Sequence, residues 1–230
     1  MSCQSAVYQW TEVVTKHLPH LSKPQAAVLA LWSVGMVLAR SCALTAVSLF
    51  VAEGLERKPN TVRQQLREWC YEAKAKRGQP RQELAVESCF APLLGWVLSW
   101  WEGNQLAIAI DATTLGQRFV VLVVSVVYRG CAIPVAWTVL AATEKHAWRG
   151  EWLRMLRQVR RVVPRRYFVM VLADRGLYAR WLFQRIVRLG WHPLLRINTG
   201  GTFRPTKSVH YRPLRELVPQ TGTQWVGTGT

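Results

Sequence analysis

Aspartate is almost missing from this 230-residue chain: it occurs twice, as Asp111 and Asp174, beside eleven glutamates. Acids of both kinds are few, 13 against 30 Lys and Arg, giving a formal charge of +17 and a pI near 10.6. So large an excess of one sign points to a polyanionic partner, with nucleic acid the first candidate and an anionic membrane surface the second. Paired cysteines are lacking as well. Cys3, Cys42, Cys70, Cys89 and Cys131 are odd in number, widely spaced and without a C-x-x-C pair, which excludes an obvious zinc site or disulfide framework and fits a reducing cytoplasm. No basic flank followed by an apolar run opens the chain, so no signal peptide is expected. The apolar stretch 24–39 is stopped by Arg40 short of a membrane span and reads as a buried helix. With 50% hydrophobic and 19% charged residues, the chain is globular rather than disordered.

What is present falls into two parts. Residues 1–104 read as helical. The segment 25–38 is apolar nearly all round, and 44–55 is a second helix closed by Gly54 and the breaker stretch 56–60. Asn60 or Thr61 can cap a third, through Val62, Leu66, Trp69 and Cys70, bearing Arg63, Arg67, Lys74 and Lys76. Two helices joined by a polar turn fit a helix-turn-helix near 44–76, with these four cations as DNA contacts; an ordinary helical pair with a solvated basic face is the alternative. Gly78-Gln-Pro80 breaks the pattern, and 84–101 is a further apolar helix.

From residue 105 the period changes. Runs at 106–110, 118–128 and 131–140, the last two joined by Arg129-Gly130, read as an antiparallel meander. An amphipathic helix at 151–163 places Trp152, Met155, Leu156, Val159 and Val162 inward. A strand at 167–173, a helix at 177–189 stopped by Gly190 and a strand at 193–197 complete a β-β-β-α-β-α-β order. This order is the signature of an α/β, RNase H-like core with a mixed sheet over 105–200. Each aspartate caps an apolar strand-like run. A short carboxylate at a rigid strand end suits a divalent metal. Asp174 can also cap the helix that starts near Leu177, but the pairing of two such strand ends favours the metal, and capping and ligation can coexist. Between Lys145 and Arg215 stand 17 basic residues and two acids, which favours phosphate contact, with Arg175 and Arg180 nearest the aspartates. Trp148, Trp152 and Trp191 are candidates to stack on unpaired bases, with helical packing the default for Trp152.

The segments Ala109-Ile-Asp-Ala-Thr-Thr-Leu115 and Val171-Leu-Ala-Asp-Arg-Gly-Leu-Tyr178, followed by Leu189-Gly-Trp-His-Pro-Leu-Leu-Arg196, resemble the DDE transposases of bacterial insertion sequences. The branch is the insertion-sequence-four-like one, whose core is interrupted by a β-rich insertion. The resemblance implies that Asp111 and Asp174 are catalytic ligands of Mg²⁺ or Mn²⁺ in two-metal phosphoryl transfer. It also implies that Arg175, Arg180, Arg204 and Lys207 join the helical cations in holding transposon-end and target DNA. It further implies a homodimeric synaptic complex, nucleoid association and no membrane role. The family's third acid, a Glu within a Tyr/Arg/Glu/Lys pattern, has no counterpart: Tyr211 is followed three positions later by Leu214. Glu216, between Pro213 and Pro219, reads as a surface residue. Residues 201–230 resemble the opening of the insertion, so a truncated or split frame that is inactive alone is expected. The alternative is a non-catalytic DNA-binding fragment that inhibits transposition. A nuclease or ATP-dependent phosphotransferase, using the Asp-Ala-Thr-Thr run and Gly116 as a phosphate loop, is the other rival.

Overall fold

The computed structural model describes residues 3–76, 82–143, 148–198, 200–220 and 222–229; the break at Gly78-Gln-Pro80 lies outside them. Two compact units divide the chain, Met1–Trp101 and Glu102–Thr230.

The first unit is helical: α1 (Cys3–His17), α2 (Lys23–Ala39), α3 (Leu44–Gly54), α4 (Pro59–Trp69) and α5 (Phe90–Ser99). Helix α2 starts where Ser22-Lys-Pro-Gln25 forms a capping box. The Gln25 N–H donates to Ser22 Oγ at 3.4 Å and the Ser22 N–H to Gln25 Oε1 at 2.9 Å, so both orphan donors are satisfied. Helix α2 buries Ala26 and Ala30 against Val14, Leu18 and Leu21, and Leu31 against Val47, Val51, Val62 and Leu66. Gly35 lets α3 approach closely: a Cβ there would meet Val51 Cγ2 at 2.6 Å and Val47 Cγ1 at 2.7 Å.

Two helix boundaries differ from the sequence expectation. Helix α4 begins at Pro59, with Lys58 rather than Asn60 or Thr61 as its N-cap, because proline at the first helical position has the required φ and no N–H to satisfy. It ends at Trp69, so Lys74 lies in the short 3₁₀ turn Ala73–Ala75 and Lys76 just after it. Arg63 and Arg67 remain on the helix. The segment expected as one helix over 84–101 opens as a 3₁₀ turn, Val86–Cys89, before α5. Among the described residues no single helix is long and apolar enough to cross a membrane.

The second unit carries a five-stranded sheet of β1 (Gln105–Leu115), β2 (Phe119–Tyr128), β3 (Cys131–Ala141), β4 (Phe168–Ala173) and β5 (His192–Leu195), in the order β3-β2-β1-β4-β5. β1, β2 and β3 pair antiparallel, while β4 runs parallel to β1 and β5 parallel to β4. Helices α6 (Trp148–Val162) and α7 (Arg180–Arg188) lead into β4 and β5. This is the mixed α/β sheet of an RNase H-like core. Arg129 (φ 47°) and Gly130 (φ 81°) make the tight β2–β3 turn, as a two-residue hairpin of primed type demands.

Period-two alternation divides the sheet. Leu106, Ile108, Ile110, Val120, Leu122, Val124, Val169 and Val171 are buried on the face to which α6 brings Trp152, Met155, Leu156 and Val159 and α7 brings Leu182 and Ile186. Each fully buried aliphatic chain contributes about 1.5–3 kcal/mol. Val163, at 3% exposure, takes the inward place expected of Val162. Trp152 and Trp191 are buried at 1% and 4%, so neither can stack on a base. On the opposite face Phe168 and Leu194 remain 45% and 55% exposed. After β5, the two-residue strands β6 (Thr202–Phe203) and β7 (Arg212–Pro213) pair antiparallel, and α8 (Leu214–Leu217) carries Glu216.

Filling the α2–α3 approach tests the packing of the helical unit. Gly35→Val is expected to destabilise the chain by about 1–3 kcal/mol through overpacking, read as a fall in the denaturant midpoint of the helical signal. An unchanged midpoint would mean that α3 does not lie against Gly35.

Candidate functional site

Asp111 was expected to end its strand. Instead β1 continues to Leu115 in antiparallel register with β2, pairing Asp111 with Val123 and Leu115 with Phe119. What ends near Asp111 is the pairing on the other side. The last β1–β4 pair is Ile110↔Ala173 and the last β4–β5 pair is Ala173↔Leu195. The next residue on each of the three neighbouring parallel strands is therefore Asp111, Asp174 and Arg196. Ile110 and Ala173 are buried, so alternation turns the residues that follow them to the opposite face. Adjacent strands lie about 4.8 Å apart. The two aspartates and Arg196 thus line one open depression of about 470 Å³, together with Ala109, Ile110, Leu172, Ala173, Leu194 and Leu195.

Each carboxylate is held by one hydrogen bond. Thr113 Oγ1, two residues along the same strand face, donates to Asp111 Oδ2 at 2.9 Å. The Gly176 N–H donates to Asp174 Oδ1 at 2.8 Å, so Asp174 caps the 3₁₀ turn Arg175–Leu177. It does not cap the following helix, whose N-cap is Ala179. Asp111 Oδ1 and Asp174 Oδ2 are left for another partner. Thr113 serves Asp111 rather than a phosphate, and Gly116, with φ +58°, turns β1 into β2 in place of a phosphate loop. Among the described residues no group of three or more His, Cys, Asp and Glu side chains could hold a metal ion.

Arg196 is the residue that sequence reasoning passed over. The signal was there, a basic residue closing the fifth strand, but only the register shows it level with the aspartates. Its N–H donates to the Ala173 carbonyl at 2.9 Å. Arg175 and Arg180, expected nearest the aspartates, are exposed and do not line the depression. Arg204 stacks over the Tyr211 ring at 5.2 Å, Lys207 is exposed, and Glu216 is exposed outside the depression. In the helical unit Arg63 and Lys74 are exposed, Arg67 lies over the Tyr71 ring at 5.6 Å, and Lys76 Nζ donates to the Gln82 carbonyl at 3.0 Å.

No family model and no curated protein matches the chain. Solved structures of Mos1 complexes do. The Mos1 strand transfer complex aligns at 17% identity over 74% of this chain and 58% of that one, with a TM-score of 0.27. The Mos1 transposase paired-end complex with left transposon end aligns at 18% over 73% and 57%, again at 0.27. The pre-cleavage Mos1 transpososome gives 16% identity, 74% and 59% coverage, and 0.27. The chain spans less than two thirds of the Mos1 chains it matches. Likeness at this level adds nothing to the residue assignments, which rest on strand register.

The Asp174 cap and any further role of its carboxylate separate by substitution. Asp174→Ala is expected to lower the melting temperature by about 2–5 °C through loss of the cap. Asp174→Asn, whose carbonyl oxygen still accepts from Gly176, should melt with the parent. Equal losses in both would show that the charge, not the cap, holds the turn.

Proposed function

We propose that this chain acts on DNA as a transposase-type phosphoryl transferase, with Asp111 and Asp174 as its metal-binding carboxylates. The observation that carries this reading is their register: consecutive positions past the last parallel pairs of β1 and β4, on one open face. The donor set fits a hard divalent cation. Each carboxylate keeps one oxygen outside its protein hydrogen bond, and oxygen-only ligands with room for water suit Mg²⁺ or Mn²⁺. Bound there, such an ion supplies Lewis-acid polarisation of a phosphodiester and stabilises the charge that develops on it.

The protein's own groups do the rest. Thr113 and Gly176 fix the two carboxylates, so that little reorganisation accompanies binding. Arg196 pairs with neither aspartate and keeps its planar donor fork for a phosphate oxygen. Substrate DNA would be held by the excess of arginine, by Arg63 and Arg67 on α4 in the helix-turn-helix reading, and by Arg175, Arg180, Arg204 and Lys207. Origin from a bacterial insertion sequence, a homodimeric assembly on transposon ends and a place on the nucleoid belong to the same reading. A second reading is favoured by one fact: among the described residues only two carboxylates meet at the site. On that reading the chain occupies end DNA without cleaving it and competes with an intact enzyme.

Nicking of labelled supercoiled DNA by the full chain in Mn²⁺ or Mg²⁺ separates the two. The unmatched third acid by itself predicts inactivity, yet two carboxylates can still hold an ion. The leading reading therefore expects metal-dependent nicking, slow for want of a third ligand among the described residues. Asp111→Asn or Asp174→Asn should lower it at least about 100-fold, together with a fall of at least about 10-fold in Mn²⁺ affinity by calorimetry. DNA binding and Mn²⁺ binding without nicking supports the second reading. Nicking unchanged in both variants would sink the site.

A further inference from the structure

The other end of the same sheet carries a second concave feature that the aspartate site does not use. A depression of about 570 Å³ is lined by Arg160, Arg161, Val162, Val163, Pro164, Arg165, Arg188 and Leu189. It forms where α6 and α7 both finish, just before β4 and β5 begin. Its arginines come from three separate segments: the last turn of α6, the link beyond Pro164 and the last residue of α7. They are neighbours only after folding.

Two helix C-termini facing one hollow should repel an anion, because unsatisfied carbonyls give each end partial negative charge. Arg160 removes that obstacle. Its Nε donates to the Leu189 carbonyl at 3.0 Å and its Nη1 to the Val163 carbonyl at 3.3 Å. The Schellman turn at Gly190 takes up others, with the Trp191 N–H on the Ile186 carbonyl at 3.2 Å and the Gly190 N–H on Val187 at 2.9 Å. With those carbonyls occupied, dipole compensation does not account for Arg161, Arg165 and Arg188. All three are exposed. Among the described residues no carboxylate pairs with any of them, and Glu151, the acid on α6, is taken by Arg154. Three free guanidinium groups around one hollow repel one another until an external anion enters. Their planar donor forks match phosphate oxygens.

We propose that Arg161, Arg165 and Arg188 form a phosphate-backbone contact for duplex DNA, separate from the Asp111–Asp174 end of the sheet and positioned by Arg160. The six residues of β4 set the two ends roughly 20 Å apart. Along the strand direction that is about six base-pair steps. The proposal rests on the DNA reading above and needs no metal.

The test uses the full chain in EDTA, so that the aspartate end contributes no metal-dependent binding. Fluorescence anisotropy with a labelled duplex of about 30 base pairs, titrated between about 50 and 200 mM salt, gives the slope of log affinity against log salt. Replacing Arg161, Arg165 and Arg188 together by Gln is expected to reduce the slope by about 2–3, since each lost phosphate contact removes about 0.9. The matching triple Lys variant should keep the slope, and both should melt with the parent because the three side chains are exposed. A parent slope retained in the Gln variant overturns this contact and leaves the proposed function standing. No duplex binding by the parent overturns both. Binding to phosphatidylserine vesicles that persists against excess duplex overturns the contact in favour of a membrane surface.

Discussion

The parallel register of β1 with β4, ending at Ile110↔Ala173, is the constraint on which the catalytic reading depends. A strand has a period of two, so a slip of one residue between these strands would send Asp111 and Asp174 to opposite faces. The register is held from the buried face. Ile108 and Val171 are paired, as are Leu106 and Val169, and all four are buried, with α6 and α7 covering that side. A slip would expose all of them at once, at about 1.5–3 kcal/mol for each side chain. Two exposed acids are thus located to within a residue by apolar contacts on the other side of the sheet.

Exposure and order are compatible here because each carboxylate borrows rigidity locally. Asp111 lies in a strand that continues past it and is bonded by Thr113 on the same face. Asp174 sits at the first residue beyond its strand, where the turn Arg175–Leu177 returns the Gly176 N–H to it. One acid is therefore held by a side chain in a sheet and the other by backbone in a turn. Each arrangement uses one oxygen and leaves one.

The short, β-branched-rich apolar runs at 106–110, 119–127 and 168–173 made the strands legible, and the change of character near residue 105 separated the two parts. Three things were not legible. The extension of β1 to Leu115 depends on its partner: Ala-Thr-Thr is weakly apolar, and only pairing with Val120–Val123 in β2 keeps it extended. The end of α4 at Trp69 was hidden because 70–76 still contains good helix formers, and local propensity does not show where packing stops. Arg196 was hidden because its meaning lies in the register of β4 with β5, not in its neighbours along the chain. Trp191 misled in the opposite direction. Its size suits base stacking, yet it follows the Gly190 turn into the core, where its area contributes more to folding.

In the proposed function, the distribution of positive charge matches what the carboxylates need. A pair of acids must attract a cation without being neutralised by the protein's own arginines, while a polyanion requires those arginines nearby. Opposite ends of the parallel strands β1, β4 and β5 satisfy both demands. At roughly 20 Å, Arg161, Arg165 and Arg188 lie more than two Debye lengths from the aspartates, since that length is about 8 Å at physiological salt. Their field there is largely screened. Arg196 lines the depression beside the two acids but forms no ion pair with either, so it would leave free the oxygens that a metal would use. In the proposed function the same separation would make anion binding at one end and cation binding at the other nearly independent, so that DNA could be held before a metal arrives.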